Sequence, residues 1–293
     1  MRPAALVLVV LVAGCGGDSK PQPARPQART TPVAAAPAPQ PPPAPAPGEP
    51  IPRSAAPIAT RLAEVDGRLR GDVDRWLASR RSTPPRAVTL GALYEQRVYR
   101  VLARRPGLAR AVTARLPGRL RPAARDSVGA LSSLFRLTSF STESRFRVGP
   151  PTPPRALRRF YAAAQRRFGV RWDVLAAINF IESNFGRLRN VSSAGAVGPM
   201  QFIPSTWAAH GMGGDIHDPH DAILGAANYL RASGAPGSYA RAVYSYNPSP
   251  LYVDAVLRYA RQMRRDRRAF YVYWSWQSFM RTPSGTRRLT GPK

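Results

Sequence analysis

The chain has 293 residues, of which 44% are hydrophobic, and a formal net charge of +28 at pH 7. This length suffices for one or two domains. Five Trp, eleven Tyr and ten Phe can fill a hydrophobic core, so the chain is not disordered over its whole length. The charge favours polyanionic partners, but the arginines are scattered along every segment and no helix-turn-helix, zinc or RNA-binding signature accompanies them. We therefore expect no nucleic acid among the partners.

The N-terminus has the features of an export signal. Arg2 precedes the apolar run AALVLVVLVAG, which is too short to span a bilayer but fits a secretory signal. Cys15, the single cysteine, follows Leu-Val-Ala-Gly, and this stretch resembles a bacterial lipobox. The resemblance implies a signal peptide over residues 1–15 and lipidation of Cys15, hence a membrane-anchored lipoprotein of the cell envelope that faces the periplasm or cell wall. The alternative is an ordinary signal cleaved elsewhere, with an incidental cysteine.

Two regions of different character follow. Residues 16–57 are dominated by Pro, Ala and Gln with few large apolar side chains, which predicts a disordered linker with extended polyproline geometry. Residues 58–148 contain helical patterns broken by Pro and Gly. Leu90, Leu93, Tyr94 and Val98 keep helical spacing and predict a core-facing stripe, and no catalytic constellation is visible in this helical N-terminal region.

The Pro-rich break VGPPTPP at residues 148–154 marks the domain boundary. Helical patterns resume at Pro154, and a compact helical domain is predicted over residues 149–264. The tail 265–293 contains AFYVYWSWQSFMR at residues 269–281, whose β-branched and aromatic alternation predicts a strand. Trp274 and Trp276 would share one face of it, where packing is favoured over carbohydrate stacking. The fold class expected for the whole chain is mainly α.

One carboxylate has an unusual setting. Glu182, in WDVLAAINFIESNFG, is the sole acid between Asp173 and Asp215. Asp173 is a plausible N-cap, and the apolar run after it predicts a helix buried on all sides with Glu182 in its last turn. Both the helix C-terminus and burial raise the pKa of a carboxyl group, as a general acid for glycosidic bond cleavage requires. This stretch alone leaves open an ion pair with Arg187 or Arg189.

Two downstream segments favour a polysaccharide cleft. SSAGAVGPMQFIPSTW begins with small residues that permit close backbone approach, and its Met200 and Phe202 flank the amide of Gln201, a reasonable sugar-binding surface. YSYNPSPLY provides hydroxyl, amide and aromatic groups around a Pro-rich turn. Each segment alone is weak evidence for a ligand site. Because both follow Glu182 on a helical chain with an export signal, together they indicate a polysaccharide cleft.

Three motifs, ESNFG at Glu182, AGAVGPMQF at 194–202 and YN at 246–247, make the chain similar to lytic transglycosylases of the lysozyme superfamily, specifically the soluble lytic transglycosylase catalytic domain. HDPHDAILGAANYL and YNPSPLY also resemble membrane-bound lytic murein transglycosylase B. The resemblance implies a lysozyme-like helical fold over about 154–264, with Glu182 as the catalytic acid. The substrate-binding residues it implies, together with motif neighbours, are Ser183, Ser192, Gly198, Met200, Gln201, Phe202, Tyr246, Asn247 and Tyr252.

The chain departs from the B-type pattern in two respects. Nineteen positions separate Glu182 from Gln201, without the long insertion of that branch. The connection HGMGGDIHDPHD is too short for the EF-hand-like calcium loop of B-type enzymes, so no calcium site is expected. This segment holds all three histidines, but Asp218, Pro219 and Asp221 form a strong helix-start pattern and the spacing matches no zinc site. We expect no metal and no cofactor.

The resemblance implies cleavage of the β-1,4 bond between N-acetylmuramic acid and N-acetylglucosamine, with 1,6-anhydromuramic acid ends. Glu182 would act first as acid and then as base, in agreement with the lack of a second nearby acid. Peptidoglycan glycan strands would be the substrate, the membrane would be contacted through lipidated Cys15, and the expected oligomeric state is a monomer. The rivals are a hydrolytic muramidase on the same fold and a non-catalytic wall-binding lipoprotein.

Overall fold

Helices dominate the part of the chain that this computed structural model describes, residues 42–138, 146–283 and 285–292. These described residues form eleven helices and one antiparallel β-hairpin. In chain order the elements are α1 (Ala55–Ala78), α2 (Arg86–Leu102), α3 (Pro106–Arg115), α4 (Arg121–Leu137), α5 (Pro154–Phe168), α6 (Trp172–Ser183), α7 (Pro204–His210), α8 (Pro219–Ala232), α9 (Tyr239–Tyr246), α10 (Pro250–Arg265), α11 (Arg268–Ser275), β1 (Phe279–Thr282) and β2 (Gly285–Arg288). The mainly helical fold class is confirmed.

The first four helices pack on one another through apolar stripes. α1 contacts α2 and α3, and α4 contacts α2 and α3. On α2 the predicted core-facing residues are buried, as helical spacing requires: Leu90, Leu93, Tyr94 and Val98. The region 58–148 thus contributes a substantial part of the core.

The folded region starts earlier than the predicted linker 16–57 allows. α1 begins at Ala55, and Glu49 forms an ion pair with Arg61 of α1 at 2.8 Å. Ile51 packs against the core, and the carbonyl of Glu49 accepts a hydrogen bond from Arg97. The prediction of a disordered linker is therefore wrong for the residues just before α1, because Ile51 packs against the helices and Glu49 forms an ion pair with one of them.

The predicted N-terminal region and the predicted catalytic region share one core. α10 packs against both α4 and α6. At the contact between α4 and α10, the buried Asp126 accepts hydrogen bonds from Arg261 at 3.0 Å and from Gln262 at 2.6 Å. Ser133 of α4 donates to Asp254 of α10 at 2.7 Å. All described residues fall in one compact unit, Pro41–Lys293, so the Pro-rich break does not separate two cores.

α6 is the central buried helix. Its residues from Val174 to Ile178 are fully buried, as the apolar run predicts. The N-cap prediction for Asp173 is wrong, because α6 begins one residue earlier at Trp172 with Arg171 as the N-cap. The Asp173 carboxylate instead receives two hydrogen bonds from the Arg171 guanidinium, at 3.1 and 3.0 Å. This bidentate ion pair satisfies a carboxylate that is otherwise buried.

The aromatic stretch of the tail is a helix, not the predicted strand. Residues 268–275 form α11, which packs on α1 and α2, and the strands begin at Phe279. Phe270, Tyr273 and Trp274 are buried at helical spacing. Burial of this helical face outweighs the strand propensity of the β-branched and aromatic residues. Trp274 and Trp276 both pack inside, as favoured over sugar stacking.

The predicted signal peptide, with Cys15, and the linker up to residue 41 lie outside the described residues. Among the helices of the described residues, none has both the length and the hydropathy that a membrane crossing requires.

Candidate active site

Glu182 lies in the last turn of α6, and its side chain is partly buried. The hydroxyl of Tyr252 on α10 donates a hydrogen bond to Glu182 Oε1. Burial raises the pKa of Glu182 to about 7, and the Tyr252 hydrogen bond, which favours the carboxylate, offsets only part of that rise. The carboxyl group therefore keeps its proton to a higher pH than an exposed glutamate does.

The described residues provide no ion pair for Glu182, whose pKa responds to burial and to one hydrogen bond. The guanidinium of Arg187 lies over the Trp274 ring, 4.9 Å from its centroid. The guanidinium of Arg189 donates to the carbonyl of Pro150 at 3.4 Å. The ion-pair interpretation of Glu182 is therefore wrong for both arginines.

A strained turn follows Glu182. Asn184, Phe185 and Gly186 have φ values of 50°, 62° and 84°. A positive φ is costly for a bulky residue such as Phe185 and persists only where the surroundings enforce it. The Phe185 ring is fully buried and stacks on Phe180 at 5.4 Å, which holds the turn in place. The backbone thus turns away from the axis of α6 directly after Ser183, so that Glu182 lies at the end of the helix.

Ser183, predicted to bind substrate, faces the interior. Its side chain is fully buried, and its hydroxyl donates to the carbonyl of Pro199 at 2.6 Å and accepts from the Gly186 backbone N–H at 2.9 Å. The Asn179 side chain donates to the same Pro199 carbonyl at 2.8 Å. The structure therefore corrects the Ser183 prediction: this residue and Asn179 tie α6 to the 192–202 loop. Asn179 was missed as a site residue, although a lone amide in an apolar helix was the signal.

The 192–202 loop folds on itself. The hydroxyl of Ser192 accepts from the Ala196 backbone N–H at 2.9 Å, and Val197 pairs with Phe202 in an isolated bridge. Gly198 has φ 79°, and a Cβ there would lie 2.1 Å from the carbonyl oxygen of Ile216. The loop conformation itself therefore requires glycine at position 198. Gly198 has no side chain with which to bind a ligand.

The three residues Met200, Gln201 and Phe202 point in different directions. Met200 and Phe202 are 0% and 2% exposed, so their side chains belong to the core and do not form the predicted open sugar-binding surface. Gln201 is half-buried with a left-handed φ of 50°, and its side chain donates to the Gly198 carbonyl at 3.0 Å. Gln201 thus keeps a partly exposed amide at the edge of the loop.

Tyr246 connects the third motif to the other two. Its hydroxyl donates to the Met200 carbonyl at 2.7 Å. Burial, with the nearby charge of Glu182, raises the pKa of Tyr246 well above its usual value, so the phenol lies within electrostatic reach of that carboxyl group. Asn247 follows at the end of α9, half-buried, and its side chain makes no hydrogen bond to the described residues. The structure thus brings the three motifs together around Glu182.

The aspartates near the histidines start a helix. Asp218 is the N-cap of α8 and accepts from the backbone N–H groups of His220 and Asp221 at 2.8 and 3.0 Å, which confirms the predicted cap. One ligand atom from each of these three side chains lies within 4.8 Å of the others. Since Asp221 also accepts from the Asp215 backbone N–H at 3.0 Å, helix capping accounts for this cluster.

Comparison with protein families agrees with this convergence of motifs. Residues 159–268 match the family model described as Transglycosylase SLT domain. This part of the chain, the SLT domain, is therefore similar to known transglycosylase SLT domains. The SLT domain match extends from within α5 to the start of α11 and includes all three motifs. It supports a lytic transglycosylase of the lysozyme-like superfamily that acts on peptidoglycan. No curated protein and no solved structure matches the chain.

Proposed function

We propose that the SLT domain cleaves the β-1,4 bond between N-acetylmuramic acid and N-acetylglucosamine and leaves 1,6-anhydromuramic acid ends, with Glu182 as the single acid and base. The observation that carries this proposal is the Glu182 carboxyl group, whose pKa burial raises to about 7 where the three motifs meet. Such a group can donate a proton near neutral pH and still act as a base after it has done so.

In the first step, protonated Glu182 transfers its proton to the glycosidic oxygen, and the bond from that oxygen to C1 of the muramoyl residue breaks. An oxocarbenium-like centre develops at C1. The substrate N-acetyl group, together with the Tyr246 and Asn247 side chains, stabilises that charge. The free Asn247 amide supports this role, because it has no partner among the described residues.

In the second step, the Glu182 carboxylate takes the proton of the muramoyl C6 hydroxyl, and O6 forms a bond to C1. One C–O bond has broken and another has formed, the proton has moved from O6 to the leaving oxygen, and no water is consumed. No second carboxylate perturbs the pKa of Glu182 in the described part of the chain, which supports a mechanism without a paired nucleophile. The scheme needs no cofactor.

The first test is Glu182→Gln with purified murein as the substrate. We expect loss of soluble muropeptide release by at least about a thousandfold, because the amide cannot donate or accept the catalytic proton. Glu64→Gln is the matched control, since this glutamate of α1 is 43% exposed and remote from the motifs. Near wild-type digestion by Glu182→Gln would contradict the assignment.

Mass spectrometry of the wild-type products separates the rival functions. Anhydro ends are lighter than reducing ends by one water, so products with reducing ends would identify a hydrolytic muramidase on this fold. Binding of murein with no released muropeptides would identify a non-catalytic wall-binding lipoprotein.

We further propose that the protein is an envelope lipoprotein, anchored through Cys15 and acting as a monomer. This rests on the lipobox-like sequence before Cys15, which lies outside the described residues. Cys15→Ser should abolish incorporation of labelled fatty acid and release the protein from the membrane fraction. Equal labelling of the variant and the wild type would contradict lipidation at this residue.

A further inference from the structure

A cavity of about 430 Å³ lies beside the end of α6, separate from the Glu182 side chain. This volume falls in the range of ligand-binding pockets. Glu182, Tyr246 and Tyr252 are not among the residues that line it. The residues that matter for its chemistry are Arg147, Pro150, Leu188, Arg189, Val191 and His217.

Ser183 connects this cavity to the catalytic position. Its hydroxyl bonds to Pro199 and Gly186, and its carbonyl accepts from the backbone N–H of Leu188 at 2.9 Å. Pro199, Gly186 and Leu188 all line the cavity. The residue next to Glu182 is therefore hydrogen-bonded to three residues of the cavity wall, which places that wall beside the end of α6.

The cavity wall is basic. Arg147 and Arg189 line it. Within the described ranges, no carboxylate lines it and neither guanidinium forms an ion pair. Arg189 packs against Gly149, where a Cβ would lie 2.4 Å from the guanidinium carbon. Two arginines that have no acidic partner among the described residues lie on a concave wall, and together they form a site for an anion with carboxylate or phosphate geometry.

The wall also has apolar parts. Val191 is 57% exposed, and Pro150, Leu188 and Val197 line the cavity beside the arginines. A free inorganic anion would gain nothing from these side chains, whereas a short peptide with methyl groups and a free carboxylate would contact both kinds of surface. The mixed lining therefore favours a small acidic peptide over a bare anion.

We propose that this cavity binds the carboxylate-bearing stem peptide attached to the muramoyl residue, with Arg147 and Arg189 as its carboxylate partners. The inference rests on the proposed function, because it places a muramoyl residue at Glu182. The peptide branches from that sugar, so it must leave the glycan near the end of α6. Its side chains and terminal carboxylates are of the kind that the cavity wall complements.

The test compares two substrates with the full-length protein. One is intact murein, and the other is the same glycan from which an amidase has removed the stem peptides. The double variant Arg147→Ala, Arg189→Ala should show about a tenfold rise in KM for intact murein and less than a twofold change for the bare glycan. Arg166→Ala is the matched control, since this exposed arginine of α5 lies away from the cavity.

A binding measurement makes the outcome independent of catalysis. Soluble stem peptide should bind the wild type in a salt-sensitive manner and bind the double variant at least about tenfold more weakly. Equal losses on both substrates, or unchanged KM and unchanged peptide binding, would overturn the inference. Competition by a phosphate polymer and none by the stem peptide would also overturn it. If the wild type digests neither substrate but still binds the peptide, that result would contradict the proposed catalytic function and would still support the peptide-binding site.

Discussion

At the scale of single residues, the protonation of Glu182 follows from its surroundings. Its apolar neighbours predict burial, and the structure places it at the buried end of α6, with one hydrogen bond from Tyr252. Burial raises the pKa of this carboxyl group to about 7, from a usual 4.5. The sequence anticipated the direction of this shift, but the Tyr252 contact joins residues seventy positions apart and could not be read from local spacing.

The raised pKa predicts that Glu182 destabilises the folded state as the pH rises. Below about pH 4.5 the group is protonated in both the folded and the unfolded states. Between pH 4.5 and 7 the unfolded chain loses this proton while the folded protein keeps it, so the free energy of unfolding falls. The loss is complete above pH 7 and amounts to about 3 kcal/mol. Glu182→Gln should therefore be more stable than the wild type at pH 8, with almost no difference at pH 4.5.

Denaturant unfolding at several pH values measures this difference. Burial also raises the pKa of Glu95 on α2, to about 8, but Glu95 is present in both proteins and its effect cancels in the comparison. Glu64→Gln again serves as the exposed control. A stability difference that stays constant from pH 4.5 to 8 would contradict the pKa assigned to Glu182.

At the scale of elements, the site depends on how α6 holds the 192–202 loop. The buried Asn179 and Ser183 side chains both donate to the Pro199 carbonyl, and Tyr246 of α9 donates to the Met200 carbonyl. Two helices therefore fix one loop through its backbone carbonyl groups. These bonds explain why polar residues occur in otherwise apolar segments.

Ser183→Ala tests whether this residue positions the loop or contacts substrate. Removal of the hydroxyl takes away the partner of the half-buried Gly186 backbone N–H, at a cost of about 1 kcal/mol, and loosens the loop. We expect kcat on murein to fall about tenfold and KM to change less than twofold. Ser205→Ala, at an exposed position of α7, is the matched control. A rise in KM with unchanged kcat would instead indicate direct contact with substrate.

At the scale of the whole molecule, the SLT domain match does not coincide with a self-sufficient core. α10 lies between α4 and α6, and α11 packs on α1 and α2. Asp126 of α4, which is buried, has its hydrogen-bond partners on α10 in Arg261 and Gln262. The helices before residue 138 are therefore part of the scaffold that holds Glu182.

A chain restricted to residues 146–292 should not fold cooperatively. It would expose the apolar face of α10 that α4 covers, and Arg261 would lose its buried carboxylate partner. We expect no sharp thermal transition and strong binding of a hydrophobic dye, whereas residues 42–292 should unfold cooperatively. A sharp transition together with murein digestion by the short chain would show that the SLT domain folds alone.

The sequence by itself determined the helical class, the buried helix that ends at Glu182, the Asp218 cap and the motifs of the site, because each depends on residue types at short spacing. Only the tertiary structure decided that α11 is a helix and that Met200, Phe202 and Ser183 face inward. It also decided that Tyr252 donates to Glu182 and Tyr246 to the Met200 carbonyl. Those outcomes depend on which surfaces pack against each other across long stretches of chain. Burial and hydrogen bonding between distant residues override local propensity, and neither is encoded in spacing alone.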